Sequence, residues 1–321
     1  MLPEASDWLR RRTSAAADWP TRALLEAKGQ TTISVVLPAR NEQDTVGLIV
    51  SAIRRELVER IPLVDEIVVI DSRSVDDTAA VATAAGAKVF AQDSILPRLP
   101  TLSGKGEALW KSLAVTTGDL LVFVDADLLN FSPSFVTGLL GPLLCQPSVS
   151  YVKACYDRPY NGSEAAFAGG GRVTELVARP LINMHWPALA GVVQPLSGEY
   201  AGRRSLLERL PFVTGYGVEL GLLLDTLVDS GLDALAQVDL GLRVHSHHST
   251  EELGAMASQI MQTAWSRLDR QGLALPLSTP VSSLTQFQRG ASGYLPSARD
   301  TSVGERPPMS SVPEYSTLQP R

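Results

Sequence analysis

The sequence predicts an α/β fold with a mostly parallel central sheet flanked by helices. Three observations predict it. Strand-length apolar runs alternate with helix-length segments through the first half of the chain. The clearest run, residues 120–124, is apolar and rich in β-branched side chains, as a buried strand is. Three of the runs end in polar clusters, at Glu42, at Asp71-Ser72 and at Asp125-Ala126-Asp127. Strands of a parallel sheet all end on one edge, where such clusters build a pocket.

Residues 1–30 read as a charged, Trp-containing lead-in with a helix near 21–28. Residues 33–37 form a strand that ends at Pro38-Ala39-Arg40-Asn41-Glu42, and an amphipathic helix follows to about Leu57. Residues 66–70 form the second strand. Asp76 and Asp77 open the next helix, which runs to Ala85, and Gly86 is a natural stop. Residues 87–90 form a short third strand, 104–116 a helix and 119–124 the fourth strand. This β-α-β-α-β-α-β order calls for right-handed crossovers. Further on, 149–155 reads as a strand, a helix begins after Gly169-Gly170-Gly171 and reaches about Met184, and another spans about 250–268. From residue 272 onward, prolines are interspersed with Ser, Thr and Gly without sustained apolar periodicity, which predicts a largely irregular tail.

At 321 residues and 45% hydrophobic content the chain has ample material for a core. A net charge of −6 speaks against a nucleic-acid partner. Cys145 and Cys155 make no disulfide framework, and reduced thiols in the cytoplasm are expected. The N-terminus lacks a signal peptide's basic start and apolar core, and no apolar stretch has the length to span a bilayer.

Asp125 and Asp127, one residue apart at a strand end, form an oxygen-rich spot suited to Mg²⁺ or Mn²⁺, whose other positions go to water and substrate phosphates. Asp is also common in turns after strands, so the pair alone leaves both readings open. The dinucleotide glycine fingerprint is missing after the first strand. Gly104-Lys105-Gly106 lacks the P-loop order, but a lysine at a helix start can meet an anion with its ammonium and the free N–H groups. Gly169-Gly170-Gly171 followed by Arg172, Val173 and Thr174 is a second candidate anion site, with a plain strand-to-helix loop as the alternative. His245 and His247 share a side if extended, which taken cold points to zinc; the cysteines are too far away in sequence to support a structural site.

Three segments together carry a resemblance: Val35-Val36-Leu37-Pro38-Ala39-Arg40-Asn41-Glu42, Val69-Ile70-Asp71-Ser72 with Ser74, Asp76, Asp77 and Thr78, and Phe123-Val124-Asp125-Ala126-Asp127. They resemble a GT-A glycosyltransferase of the family-2-like kind. Gly104–Trp110, Gly169–Pro180, Gln194–Tyr200 and Gly215–Glu219 narrow the resemblance to the actinobacterial glucosyl-3-phosphoglycerate synthases, over roughly residues 30–265. It implies a GT-A fold with a nucleotide-sugar half over 31–148 and an acceptor half over 149–271. It also implies UDP-glucose as donor, 3-phospho-D-glycerate as acceptor, a divalent cation (Mg²⁺, with Mn²⁺ or another possible), retention at the anomeric carbon, a homodimer, and a place in methylglucose lipopolysaccharide synthesis.

Residue by residue, the resemblance places the donor at Pro38, Ala39, Arg40, Glu42, Ser72, Lys105, Asp125, Ala126 and Asp127. It places the metal on Asp127 and His245. The acceptor falls to Gly171, Arg172, Val173, Thr174, Tyr216, Glu219, Arg243, His247 and Met256. The carbonyl of Leu196 is the candidate stabiliser of the oxocarbenium-like centre, with Glu219 orienting the acceptor and Lys105 opposing the leaving group's charge. His247 and His248 depart from the Asn and Arg of mycobacterial members, so acceptor affinity is expected to weaken from pH 6 to 8. A related transferase using GDP-mannose or GDP-glucose, or acting on glycerate or a polyprenyl phosphate, is the alternative. A silent nucleotide-sugar-binding protein fits less well, since it needs no complete metal site.

Overall fold

The computed structural model describes residues 1–160, 163–168, 171–243, 249–274, 280–290 and 293–318. In chain order its strands are β1 (Thr13–Ala15), β2 (Ile33–Ala39), β3 (Glu66–Asp71), β4 (Lys88–Ala91), β5 (Leu120–Phe123), β6 (Tyr151–Tyr160), β7 (Ser163–Ala168), β8 (Tyr200–Arg203), β9 (Phe212–Val213), β10 (Leu235–Leu242), β11 (Ser283–Gly290), β12 (Gly293–Asp300) and β13 (Glu305–Arg306). The main sheet has the order β1-β10-β6-β8-β5-β2-β3-β4, with β7 on β6. The strands β4, β3, β2 and β5 are parallel, as the alternation predicted. β8 is antiparallel to both β5 and β6, so one sheet runs through both predicted halves.

The apolar runs do not alternate because both faces of the sheet are covered. Val36, Leu121 and Phe123 pack into one core cluster, and Val35, Leu37 and Val122 into the other. Parallel pairing then sets the site: Ala39 lies beside Asp71, and Val36 beside Phe123, so the polar ends of β2, β3 and β5 share one edge. Helices Val46–Ile53, Thr78–Ala85 and Lys105–Val115 make the crossovers. Gly86 ends the second of these at φ 100°.

Two expectations are corrected. The lead-in is part of the fold: helix Pro3–Arg12 buries Trp8, and β1 extends the sheet beside β10. The tail is not largely irregular. β11 and β12 form a hairpin, β13 pairs with β9, and Met309, Val312 and Tyr315 are buried in the first core cluster. These three apolar anchors, three residues apart among polar and proline positions, are too short a run to stand out as a periodicity. Helix Ser134–Cys145 and strand β8 had no counterpart in the sequence reading. β8 is only four residues long and contains a glycine; it is fixed by the Tyr200 ring lying 5.0 Å from Phe123 and 5.5 Å from Tyr151. Among the described residues no helix is long and apolar enough to cross a membrane.

Candidate active site

The turn after β5 is pinned from below. Val124 N–H donates to the Val36 carbonyl, and the buried Ala126 presents its carbonyl to Thr45 Oγ1 at 2.6 Å. Asp125 and Asp127 flank that anchor. Asp125 Oδ1 meets Lys105 Nζ at 2.5 Å, and its Oδ2 meets Arg243 Nη2 at 2.8 Å. Lys105 also reaches Glu219 at 3.0 Å, while Arg243 reaches Glu199 at 3.0 Å and Asp127 at 3.4 Å. The result is a chain of alternating charges, Glu219–Lys105–Asp125–Arg243, ending on Glu199 and Asp127. Burial disfavours the Lys105 ammonium, but Asp125 and Glu219 override it and its pKa is raised.

Two glycine features make this geometry possible. A Cβ on Gly198 would lie 2.0 Å from Asp125 Oδ2, so only glycine lets the 194–199 loop touch the acid cluster. Gly104 and Gly106 lie against the backbone of Val213 and Thr214, where a Cβ would come within 2.3 Å and 1.8 Å of a carbonyl oxygen. Gly106 N–H donates to the Thr214 carbonyl at 3.0 Å, so it is not one of the free donors expected for an anion. The glycines set the helix start against that backbone, and Lys105 brings its positive charge to the Asp125 side of it.

All nine expected donor residues line one cleft of about 600 Å³. Its floor is held by cross-links between two loops. Asn41 N–H donates to Ser74 Oγ, Val75 N–H to Asn41 Oδ1, and Glu42 N–H to Thr78 Oγ1. Asp76, read from sequence as a helix-start residue, accepts from Thr78 and from Gln43 N–H. Ser72 donates its hydroxyl to Gln92 Oε1 and its N–H to the Ala39 carbonyl. The two motifs of the resemblance are thus each other's partners.

Glu42 is pushed up to about 7, first by burial and then by Asp127 and Asp125. Burial and Asp125 likewise raise Asp127, against Arg243 and Lys105. A carboxyl pKa raised in the folded state costs stability as pH climbs from the unfolded value toward the folded one. The Glu42→Gln variant, free of metal, should therefore melt higher than the parent at pH 8 and alike near pH 4.5. Equal melting shifts at both pH values, read by scanning calorimetry, would refute this. The same crowding tests the fit of a divalent cation: three carboxylates face one cleft, Asp125 and Asp127 raise Glu42, Asp125 raises Asp127, and the ion pair of Asp127 to Arg243 is a long 3.4 Å. Asp127 suits that group as a carboxylate ligand, with water and substrate phosphate filling other positions. Among the described residues no set of three His, Cys, Asp or Glu is poised to hold a metal. His245, the expected second ligand, lies outside the described residues, as do His247 and His248 with their expected pH dependence.

The acceptor set is less gathered. Tyr216 stands on the cleft wall, 48% exposed, its N–H held by Gln259 Oε1. Glu219 and Arg243 are buried in the charge chain. Gly171, Arg172, Val173 and Thr174 lie at the start of the helix over 172–185 and do not line the cleft; Gly171 accepts Glu175 N–H, Val173 packs on the core and Thr174 is buried. Met256 is half-buried on helix Thr250–Arg270. Leu196 is half-buried in the loop that Gly198 presses onto Asp125, and Lys153 donates to the next carbonyl, Ser197 O, at 2.6 Å. Sequence reading missed Arg73, Gln92, Ser103 and Ser302 on the cleft wall. Arg73 sits inside a quoted motif and was findable; Gln92 and Ser302 carry no local signal.

Residues 34–208 match the family described as Glycosyl transferase family 2. A glucosyl-3-phosphoglycerate synthase of Mycolicibacterium smegmatis is 47% identical over 98% of this chain and 99% of its own. The crystal structure of mannosyl-3-phosphoglycerate synthase from Rubrobacter xylanophilus superposes with a TM-score of 0.89 at 40% identity, covering 95% of this chain and 97% of that one. That of glucosyl-3-phosphoglycerate synthase from Mycobacterium tuberculosis, in complex with Mn²⁺, UDP and phosphoglyceric acid, gives 0.79 at 48% identity, over 91% and 94%. The chain belongs to glycosyl transferase family 2 and, within it, to the glucosyl-3-phosphoglycerate synthases.

Proposed function

We propose that the chain transfers glucose from UDP-glucose to the 2-hydroxyl of 3-phospho-D-glycerate, giving glucosyl-3-phosphoglycerate and UDP with retention at the anomeric carbon. The observation that carries this reading is the gathering of all nine donor residues on one cleft that ends in the Lys105–Asp125–Arg243 charge chain. In the reaction the anomeric C–O bond to UDP breaks as a bond to the acceptor oxygen forms on the same face, and the hydroxyl proton passes to the departing diphosphate. Pro38, Ala39 and Ser72 hold the uridine, and Lys105, kept charged by Asp125 and Glu219, opposes the diphosphate's developing charge. Asp127 with His245 would hold the divalent cation, which when bound adds positive charge against the same diphosphate. Leu196, in the loop that Gly198 brings onto Asp125, is the residue whose carbonyl would stabilise the anomeric centre. Arg243 and the start of the 172–185 helix receive the acceptor's phosphate and carboxylate. A cytoplasmic location belongs to the same reading and is supported by two free thiols, Cys145 and Cys155.

Glu219 orients the acceptor and is no nucleophile. Glu219→Gln should lower turnover by about tenfold or more while leaving an α-linked product; an inverted product, read by NMR, would refute it. The function itself is tested by UDP release with Mg²⁺, UDP-glucose and 3-phosphoglycerate, beside 2-phosphoglycerate and glycerate. Release confined to 3-phosphoglycerate is expected, and release independent of acceptor would overturn the acceptor assignment. A mannosyl donor is the second reading, favoured by the TM-score of 0.89 with the Rubrobacter mannosyl enzyme; GDP-mannose in the same assay decides it.

A further inference from the structure

The C-terminal stretch that the sequence marks as an irregular tail reaches the charge chain from behind. β13 is two residues long and pairs with β9, placing Glu305 beside Val213 and Arg306 beside Phe212. Gly304 continues the contact: its carbonyl accepts Thr214 N–H at 3.0 Å and its N–H donates to Thr214 Oγ1 at 3.1 Å. Thr214 is the residue whose own carbonyl receives Gly106 N–H, one position beyond Lys105. The strand therefore lies one hydrogen bond away from the backbone that seats Lys105.

Adjacent residues of a strand point to opposite sides, and both are used. Glu305 meets Arg267 at 2.5 Å, and Arg267 grips Asp225 on helix Val218–Ser230, whose first turn carries Glu219. Arg306 turns the other way. Its Nε and Nη2 donate to the two oxygens of Glu107 at 2.7 Å and 2.6 Å, and Nη2 also donates to the Pro100 carbonyl. Glu107 is fully buried, in the first turn of the helix that starts at Lys105. The guanidinium lies 5.0 Å from the Trp110 ring centroid, and Trp110 Nε1 donates to the Pro307 carbonyl, so it is packed as well as paired.

We propose that Arg306 is a positioning residue for the donor site: its bidentate pair with Glu107 fixes the first helical turn and thereby aims Lys105 at the diphosphate. The inference rests on the donor role of Lys105 proposed above. A bidentate fork makes a direction as well as an attraction, and losing it leaves buried Glu107 with Lys111, 3.6 Å away, as its remaining ion-pair partner among the described residues. The effect travels through Lys105, so it falls first on the donor, and on the acceptor only at second hand through the Lys105–Glu219 pair.

The test is a double-mutant cycle in the full-length enzyme, with UDP-glucose and 3-phosphoglycerate constants measured for Lys105→Ala, Arg306→Ala and the double variant. Arg306→Ala should raise KM for UDP-glucose about tenfold while KM for 3-phosphoglycerate moves less than about twofold. On the Lys105→Ala background the same change should cost less than about twofold, because the two act as one unit. An equal loss on both backgrounds, or donor and acceptor constants rising together, would overturn the proposal in favour of plain structural support. Should Arg306→Ala not be recovered folded, Arg306→Lys takes its place with the same criteria, since lysine keeps the charge but cannot bridge both oxygens. Lys105→Ala with unchanged donor affinity would refute the donor role of Lys105 itself, and the inference with it.

Discussion

Asp127→Asn is expected to cut turnover by at least about a hundredfold, the size of effect seen when a group stabilising transition-state charge is removed. The substitution is isosteric and touches little else. The one ion pair of Asp127 among the described residues is marginal, 3.4 Å from Arg243, and its carboxylate is disfavoured by burial and by Asp125. Neutralising it relieves that repulsion, so the variant should melt at or above the parent temperature and remain folded. Its UDP affinity should stop responding to added Mn²⁺, a readout available by calorimetry without any turnover. Asp125 would behave differently. It sits between Lys105 and Arg243, and its loss leaves two cations facing each other, so Asp125→Asn should also lower stability. A folded Asp127→Asn enzyme with turnover within threefold of the parent would show that the cleft works without this carboxylate. A variant inactive but still Mn²⁺-responsive in UDP binding would move the metal to other ligands.

The donor half was legible because its signals are local. β2, β3 and β5 are covered on both faces, so each appears as an apolar run, and every donor residue except Lys105, which starts a helix, lies within a few positions of a strand end. Parallel order then brings those ends together without further information. What was not legible depends on partners far away in sequence. Arg243 was expected to meet the acceptor phosphate, yet the structure ties it to Glu199, Asp125 and Asp127, residues on two other segments. The glycines around Lys105 invited comparison with phosphate loops. Their reason is the Val213–Thr214 backbone, more than one hundred positions away, against which no side chain fits. β8 hides because four residues carry too little pattern, and Arg306 because one arginine in a polar tail looks like any other until Glu107 is seen beneath it. Chemistry carried by strand ends is readable; chemistry held in place by buried ion pairs between distant segments is not.

The same limit makes the N-terminal helix a place for a large and countable effect. Trp8→Ala should destabilise the protein by about 3–5 kcal/mol, a substantial part of the roughly 5–15 kcal/mol that holds a typical domain. Trp8 is 1% exposed, belongs to the first core cluster and donates its indole N–H to the Leu235 carbonyl at 2.9 Å. Gly191 packs against its ring so closely that a Cβ would lie 3.0 Å from it, so the surroundings have little freedom to collapse into the space left. Leu235 is the first residue of β10, the strand that ends one residue before Arg243. Trp8→Phe separates the terms: it keeps most of the apolar volume and loses the hydrogen bond, and should cost about 1–2 kcal/mol. Urea denaturation at pH 7 measures both. If Trp8→Ala loses less than about 1 kcal/mol, the helix is an accessory and β10 is held by its sheet neighbours alone. If it loses the full amount while the folded fraction keeps its parent KM values, the first twelve residues belong to the core that carries the site, although no motif in them points to it.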